Sequence, residues 1–160
     1  MVVVIMGVTG SGKTTVGSLL AKQLGWEFRD ADQFHSPANI EKMSRGIPLD
    51  DADRAPWLAA MHAGIVSWLA NGENVVLACS ALKRSYRDEL CVDPRVKLIY
   101  LKGSFELIAS RVQARHGHFA KADLVSSQFA DLEEPEDAIT IEVNHTPEEI
   151  VAEARKRLGV

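Results

Sequence analysis

Residues 7–14 read Gly7-Val8-Thr9-Gly10-Ser11-Gly12-Lys13-Thr14, and no other stretch constrains the fold as strongly. The spacing is G-x-x-x-x-G-K-[ST], the pattern of a phosphate-binding loop. Its chemistry needs each part. Glycines let backbone amides turn inward around phosphate oxygens without a Cβ in the way. A helix that starts directly after the loop adds its positive end. The pattern carries weight only between a strand and a helix, and the periodicity supplies both. Val2 to Met6 is uniformly apolar and mostly β-branched, as a strand covered on both faces should be. Behind the loop, Val16, Leu19, Leu20 and Leu24 fall at i, i+3, i+4 and i+8, the stripe of a helix that Gly25 would cap. The expectation is nucleoside triphosphate binding, with Gly7, Val8, Thr9, Gly10, Ser11, Gly12, Lys13, Thr14 and Thr15 around the phosphates. Lys13 would reach the β- and γ-phosphates, and the Thr14 hydroxyl would ligate Mg²⁺.

The rest of the chain alternates in the same way. Further strands are expected at Trp26 to Arg29, Asn74 to Cys79, Val96 to Leu101 and Ala138 to Val143. Helices are expected around Asn39 to Ser44, from Pro56 through Leu69, and at Lys83 to Leu90. Others carry Phe105, Ile108 and Val112, run from about Leu124 to Leu132, and start at Pro147. Pro56 suits the first position of its helix. Strands separated by helices of this length imply right-handed crossovers and a parallel sheet. The predicted architecture is a three-layer α/β/α sandwich with a five-stranded parallel sheet, a P-loop fold. At 160 residues the chain is expected to be one domain, with a substrate-binding segment at about 30–58 and a lid at about 115–122.

Charge and composition exclude other classes. There are 18 Lys and Arg against 22 Asp and Glu, a net charge of −4, so neither a nucleic-acid partner nor an anionic membrane surface is expected. The two cysteines, Cys79 and Cys91, lack any disulfide-scaffold or metal spacing, which fits a reduced cytoplasmic location. No apolar run approaches the roughly 18–20 residues that cross a bilayer. The apolar start MVVVIM has no basic flank and runs straight into the glycine loop, so no secretory signal is expected.

Three absences narrow the choice among P-loop proteins. The strand Val75-Val76-Leu77-Ala78-Cys79 ends without the aspartate that motor ATPases place there. No Asp is followed three residues later by Gly, and no Asn-Lys-x-Asp occurs, so GTPase switch and guanine motifs are missing. A small-molecule kinase remains, and it needs a carboxylate to address the acceptor hydroxyl. Asp30 and Asp32 follow the second strand at its carboxyl end, where ligands bind in open α/β sheets. One would serve the Mg²⁺ and the other the acceptor, with Asp30 placed on the metal and Asp32 on the acceptor. On sequence alone the two are interchangeable.

The segments Asp30-Ala31-Asp32-Gln33-Phe34-His35, Asn39-Ile40-Glu41-Lys42-Met43 and Pro48-Leu49-Asp50-Asp51-Ala52-Asp53-Arg54-Ala55-Pro56-Trp57-Leu58 resemble the gluconate kinases of the P-loop kinase superfamily. So do Cys79-Ser80-Ala81-Leu82-Lys83 with Tyr86-Arg87-Asp88, Tyr100-Leu101-Lys102-Gly103, Arg111-x-x-x-Arg115-His116-Gly117-His118-Phe119, and Gln128-Phe129-x-x-Leu132-Glu133-x-Pro135. The likeness runs over about residues 3–143. It implies ATP-dependent phosphorylation of D-gluconate to 6-phosphogluconate with Mg²⁺, on a nucleoside-monophosphate-kinase-like fold, in a homodimer. Shikimate or a nucleotide is the alternative acceptor, and a nucleotide sensor without turnover the alternative class.

Gluconate carries a carboxylate and five hydroxyls, so its site needs cations and hydrogen-bonding groups. Arg54, His35, Lys42, Lys83 and Arg87 are the candidate cations, with Ser80 beside Lys83 at the end of the third strand. Arg54 leads, and Lys42 has a helix neighbour available as a partner instead. His35 reads equally as a sugar contact or a turn residue. Trp57 shares a face with Leu58, Met61 and Ile65 and reads as core, and Cys79 reads as a small buried residue. Arg111 and Arg115 lie four apart on one helix face, ahead of His116, His118 and Lys121. They are expected to stabilise the γ-phosphoryl from a lid that closes over it.

Overall fold

A computed structural model describes residues 1–116 and 122–160. The strands are β1 (Val2–Met6), β2 (Glu27–Asp30), β3 (Val75–Ala78), β4 (Val96–Lys102) and β5 (Ile139–Glu142). The helices are α1 (Lys13–Leu24), α2 (Pro37–Ser44), α3 (Asp51–Ala70), α4 (Arg84–Leu90), α5 (Phe105–His116), α6 (Ala122–Asp131) and α7 (Pro147–Leu158). All five strands are parallel, in the order β2-β3-β1-β4-β5. The sheet is the one expected. Of the expected lid at about 115–122, residues 117–121 lie outside the described residues.

Side-chain alternation along β1 explains its central place. Val3 and Ile5 point to one face, into a core with Val16 and Leu20 of α1, Ile108 of α5 and Ile150 of α7. Val2, Val4 and Met6 point to the other, against Trp57, Leu58, Met61 and Ile65 of α3 and Leu90 of α4. All five residues of β1 are fully buried. A strand buried on both faces can only be apolar throughout, and its register with β3 and β4 admits no slip.

The long helix α3 departs from the sequence reading. It starts at Asp51, five residues before Pro56, which lies inside it. The competing signal is a capping box. Asp50 accepts from the Asp53 amide at 2.7 Å, and the Asp53 carboxylate accepts from the Asp50 amide at 3.1 Å. That reciprocal pair starts the helix firmly enough for it to accommodate a proline in its second turn, at the loss of one backbone bond. A 3₁₀ turn at Ala31–Phe34, with Asp30 as its cap, is a second element not expected. It follows directly on the end of β2, so that Asp30 stands as its cap and Asp32 within it.

Asp50→Ala is expected to lower stability by about 1 kcal/mol. The check is a lower urea midpoint at unchanged slope.

Candidate functional site

The loop between β1 and α1 crosses the carboxyl edge of the sheet. Gly10 and Gly12 hold φ of 79° and 96°, left-handed values that favour glycine. Gly12 is the cap of α1 and offers its first amides no side-chain partner. Those free amides, together with the helix dipole, make an anion site. Ser11 Oγ is buried inside the loop with no hydrogen-bond partner among the described residues. Lys13 Nζ folds back to the Val8 carbonyl at 3.0 Å, and burial pushes its pKa down to about 8. Uncapped amides, an orphaned hydroxyl and a desolvated ammonium fit a polyphosphate, which would supply the missing acceptors.

The two aspartates are not equivalent. Thr14 Oγ1 donates to Asp30 Oδ2 at 3.2 Å, and Asp30 Oδ1 accepts from the Asp32 amide at 3.0 Å. Asp30 is therefore tied to the hydroxyl expected to meet the metal. The Asp32 carboxylate is exposed and has no hydrogen bond to a described residue.

Beyond Asp32 the acceptor-side candidates fall into two groups. Arg54 Nη1 donates to Tyr86 Oη at 3.2 Å, and Tyr86 Oη donates to Asp51 at 2.6 Å. Lys83 Nζ pairs with the same Asp51 carboxylate at 3.2 Å. These residues bring the start of α3 against the start of α4, and Arg54 has donors left over. Tyr86 and Asp51 were not singled out from sequence as site residues. His35 stacks flat on Trp57, ring centroids 4.6 Å apart and 5° from parallel. Trp57 is buried core, as expected, and its Nε1 donates to the Ala31 carbonyl at 2.8 Å.

Besides Lys83, three more of the expected cations are not free charges. Lys42 Nζ is held by both oxygens of Asp53, at 2.9 and 2.8 Å. Burial pushes the His35 imidazole below its ordinary value, so at neutral pH it is uncharged. Arg87 is buried, with Nη1 donating to the carbonyls of Ala81 and Leu82 at 2.9 Å each and Nη2 to that of Glu133 at 2.7 Å. Its guanidinium braces the loop after β3, where Ala81 is held at φ 45°. Ser80 lies on that loop, and its carbonyl accepts from the Gly7 amide at 3.3 Å. Cys79 is fully buried and its thiol is pushed up to about 12, chiefly by desolvation, which leaves it unreactive.

On the other side of the phosphate loop is an open cleft of about 330 Å³. Gly10, Gly12, Thr15, Arg111 and Arg115 line it together with His145 and Pro147 from the start of α7. Arg111 Nη2 donates to the Val143 carbonyl at 2.5 Å. His145 and Pro147 were not foreseen, because only the return of β5 beside β4 brings them to the loop. Gln128 of α6 was quoted within a motif but given no role. Its Oε1 accepts from the Thr9 amide at 2.6 Å, joining α6 to the phosphate loop across 119 residues of sequence.

Arg87→Met is expected to destabilise the fold by about 2–4 kcal/mol, because it strands three carbonyls. Thermal unfolding without substrates would register it, whereas a surface cation would leave the transition within error.

The family model described as shikimate kinase matches residues 9–158. The chain is 51% identical over 135 residues to the gluconokinase of Gluconobacter oxydans, covering 84% of this chain and 76% of that one. It is 46% identical over 173 residues to a probable gluconokinase of Rattus norvegicus, covering 94% of each. A solved gluconokinase from Sinorhizobium meliloti superposes with a TM-score of 0.87 at 44% identity, covering 98% of this chain and 90% of that one. Identity at this level over nearly the full length, on a P-loop fold with its phosphate loop intact, means that the chain belongs to the gluconokinases, within the wider shikimate kinase family.

Proposed function

We propose that this chain transfers the γ-phosphoryl group of ATP to D-gluconate, forming 6-phospho-D-gluconate. Similarity to gluconokinases over almost the entire chain supports the activity. The observation that carries the mechanism is the divided labour of the two aspartates. Asp30 is engaged with Thr14 and with the backbone, while Asp32 stands exposed and unbonded at the same strand edge.

On this reading the phosphate loop and Lys13 hold the triphosphate. The cleft between the loop, Arg111, Arg115, His145 and Pro147 takes the nucleoside. Arg111 and Arg115 also face charge that develops on the transferring phosphoryl oxygens. Thr14 and Asp30 would hold Mg²⁺, which supplies charge neutralisation across the β- and γ-phosphates. Asp32 orients the 6-hydroxyl of gluconate and accepts its proton as the oxygen attacks in line. Arg54, with donors to spare beside Tyr86, takes the carboxylate, and Ser80, Lys83 and His35 address hydroxyls. Arg87 acts on the site only through the loop it braces. Closure of the segment at about 115–122 over the phosphates would exclude water, which otherwise competes with the sugar hydroxyl. The active form is a homodimer and its location cytoplasmic. Among the described residues no helix is long and apolar enough to cross a membrane.

Two measurements test the reading. Asp32→Asn should lower kcat by about two to four decades with the fold intact. Undiminished turnover would assign the base elsewhere. A coupled ADP-release assay across gluconate, related aldonates, shikimate and nucleoside monophosphates should give turnover with gluconate. The match to the shikimate kinase model makes shikimate the comparison that matters most, and ADP release with shikimate alone would reverse the assignment.

A further inference from the structure

Asn39 is one of only three buried polar residues among those described, with Ser11 and Arg87. It lies in the first turn of α2, where its amide donates to the capping Ser36 hydroxyl at 3.2 Å. Its side-chain Nδ2 stands 2.8 Å from the Asp53 carbonyl oxygen and 3.3 Å from His35 Nδ1. The Asp53 carbonyl can only accept, so the group facing it is the NH₂ of the carboxamide. That fixes which way the amide is turned. The same NH₂ has no lone pair to offer, so a proton on His35 Nδ1 would meet a donor. Nδ1 must therefore present its lone pair, and the single ring proton of the neutral imidazole must sit on Nε2.

The ring plane is also fixed. His35 stacks on Trp57, and Trp57 is anchored through Nε1 to the Ala31 carbonyl, one residue from Asp32. The charged groups acting on the imidazole are Asp32, which favours its protonation, and Arg54, which opposes it. Burial, with Arg54 acting in the same direction, outweighs Asp32 and keeps the ring neutral. No described residue accepts a hydrogen bond from Nε2.

We propose that Asn39 is a positioning residue that holds His35 as the Nε2–H tautomer, so that His35 offers the acceptor site one oriented, uncharged donor for an oxygen of a polyhydroxy acid. The ligand part of this inference rests on the gluconokinase reading above. The tautomer does not. An uncharged donor binds a hydroxyl without drawing the proton that Asp32 is to receive. It also leaves the acid end of the sugar to Arg54. The buried asparagine thus acts on the substrate through the histidine and touches no reacting atom.

Long-range proton–nitrogen NMR of the imidazoles in the intact chain at pH 7 tests the tautomer, with His35 identified by the signal lost in His35→Phe. The expected spectrum has Nδ1 as the unprotonated and Nε2 as the protonated nitrogen. The reverse pattern, or an imidazolium signal, overturns the proposal. Asn39→Asp replaces the donor by a carboxylate, which recruits a proton to Nδ1. Its spectrum should switch to the Nδ1–H form, in which Nε2 no longer donates, and KM for gluconate should rise about tenfold while KM for ATP stays within about twofold. An unchanged gluconate KM in a variant whose tautomer has switched overturns the link to the substrate. His35→Phe keeps the stack and removes the donor, so it should raise KM for gluconate at least as much, whether or not Asn39→Asp folds. An unchanged value there has the same overturning force. Gluconate failing as a substrate of the wild type would sink the functional reading while the tautomer assignment survived, so the two failures are distinguishable.

Discussion

The site depends first on the burial of β1. Its five apolar residues lie in the middle of the sheet and face a helical layer on each side. A strand so enclosed can move neither sideways nor along its axis without exposing apolar surface, at roughly 25 cal/mol for each Å². The glycine loop that leaves its carboxyl end is therefore delivered to one place. The neighbouring strands β3 and β4 bring the Ser80 loop and the start of α5 to the same edge. Because the sheet order places β1 between strands later in the chain, ligand-binding segments from both halves converge there.

From that edge the polar machinery is held by backbone bonds more than by ion pairs. Arg87 has its donors on three carbonyls, and the Glu133 amide donates in turn to Leu82 while the Glu133 carboxylate accepts from the Arg84 amide. Gln128, five residues before Glu133, accepts from the Thr9 amide. The segment that follows the basic loop is thus tied to both the phosphate loop and the loop after β3. Any movement of α6 is mechanically shared with the two places where the proposed substrates meet. Surface pairs such as Arg95 with Asp93 contribute little by comparison, because solvent screens them.

Much of this was legible in the residues. The phosphate loop, the five strands and the core role of Trp57 follow from short-range patterns, since glycine conformations and apolar periodicities are local properties. The start of α3 was misread because Pro56 is a familiar first-turn residue, while the Asp50–Asp53 capping box ahead of it is a pair of ordinary aspartates until their amides are seen. Arg87 was read as a candidate cation for the substrate, and Lys42 was offered a helix neighbour instead of Asp53, because sequence shows charge and not its partners. His145 and Pro147 were invisible as site residues, because nothing near them in the chain resembles a binding motif.

The sequence by itself determined the class of chemistry. A strand, a glycine loop with Lys13 and Thr14, and a helix can be combined in only one way that leaves amides pointing at an anion. Family likeness along the chain then narrowed the acceptor. Only the tertiary structure decided the roles of residues with the same chemistry. Asp30 and Asp32 are both aspartates two positions apart, yet Asp30 caps the 3₁₀ turn and accepts from Thr14 while Asp32, inside that turn, is left exposed. His35 is a histidine of either tautomer until α2 and α3 meet, when Asn39 and the Asp53 carbonyl permit one. Protonation, pairing and exposure depend on neighbours distant in sequence, and those distances are set by packing.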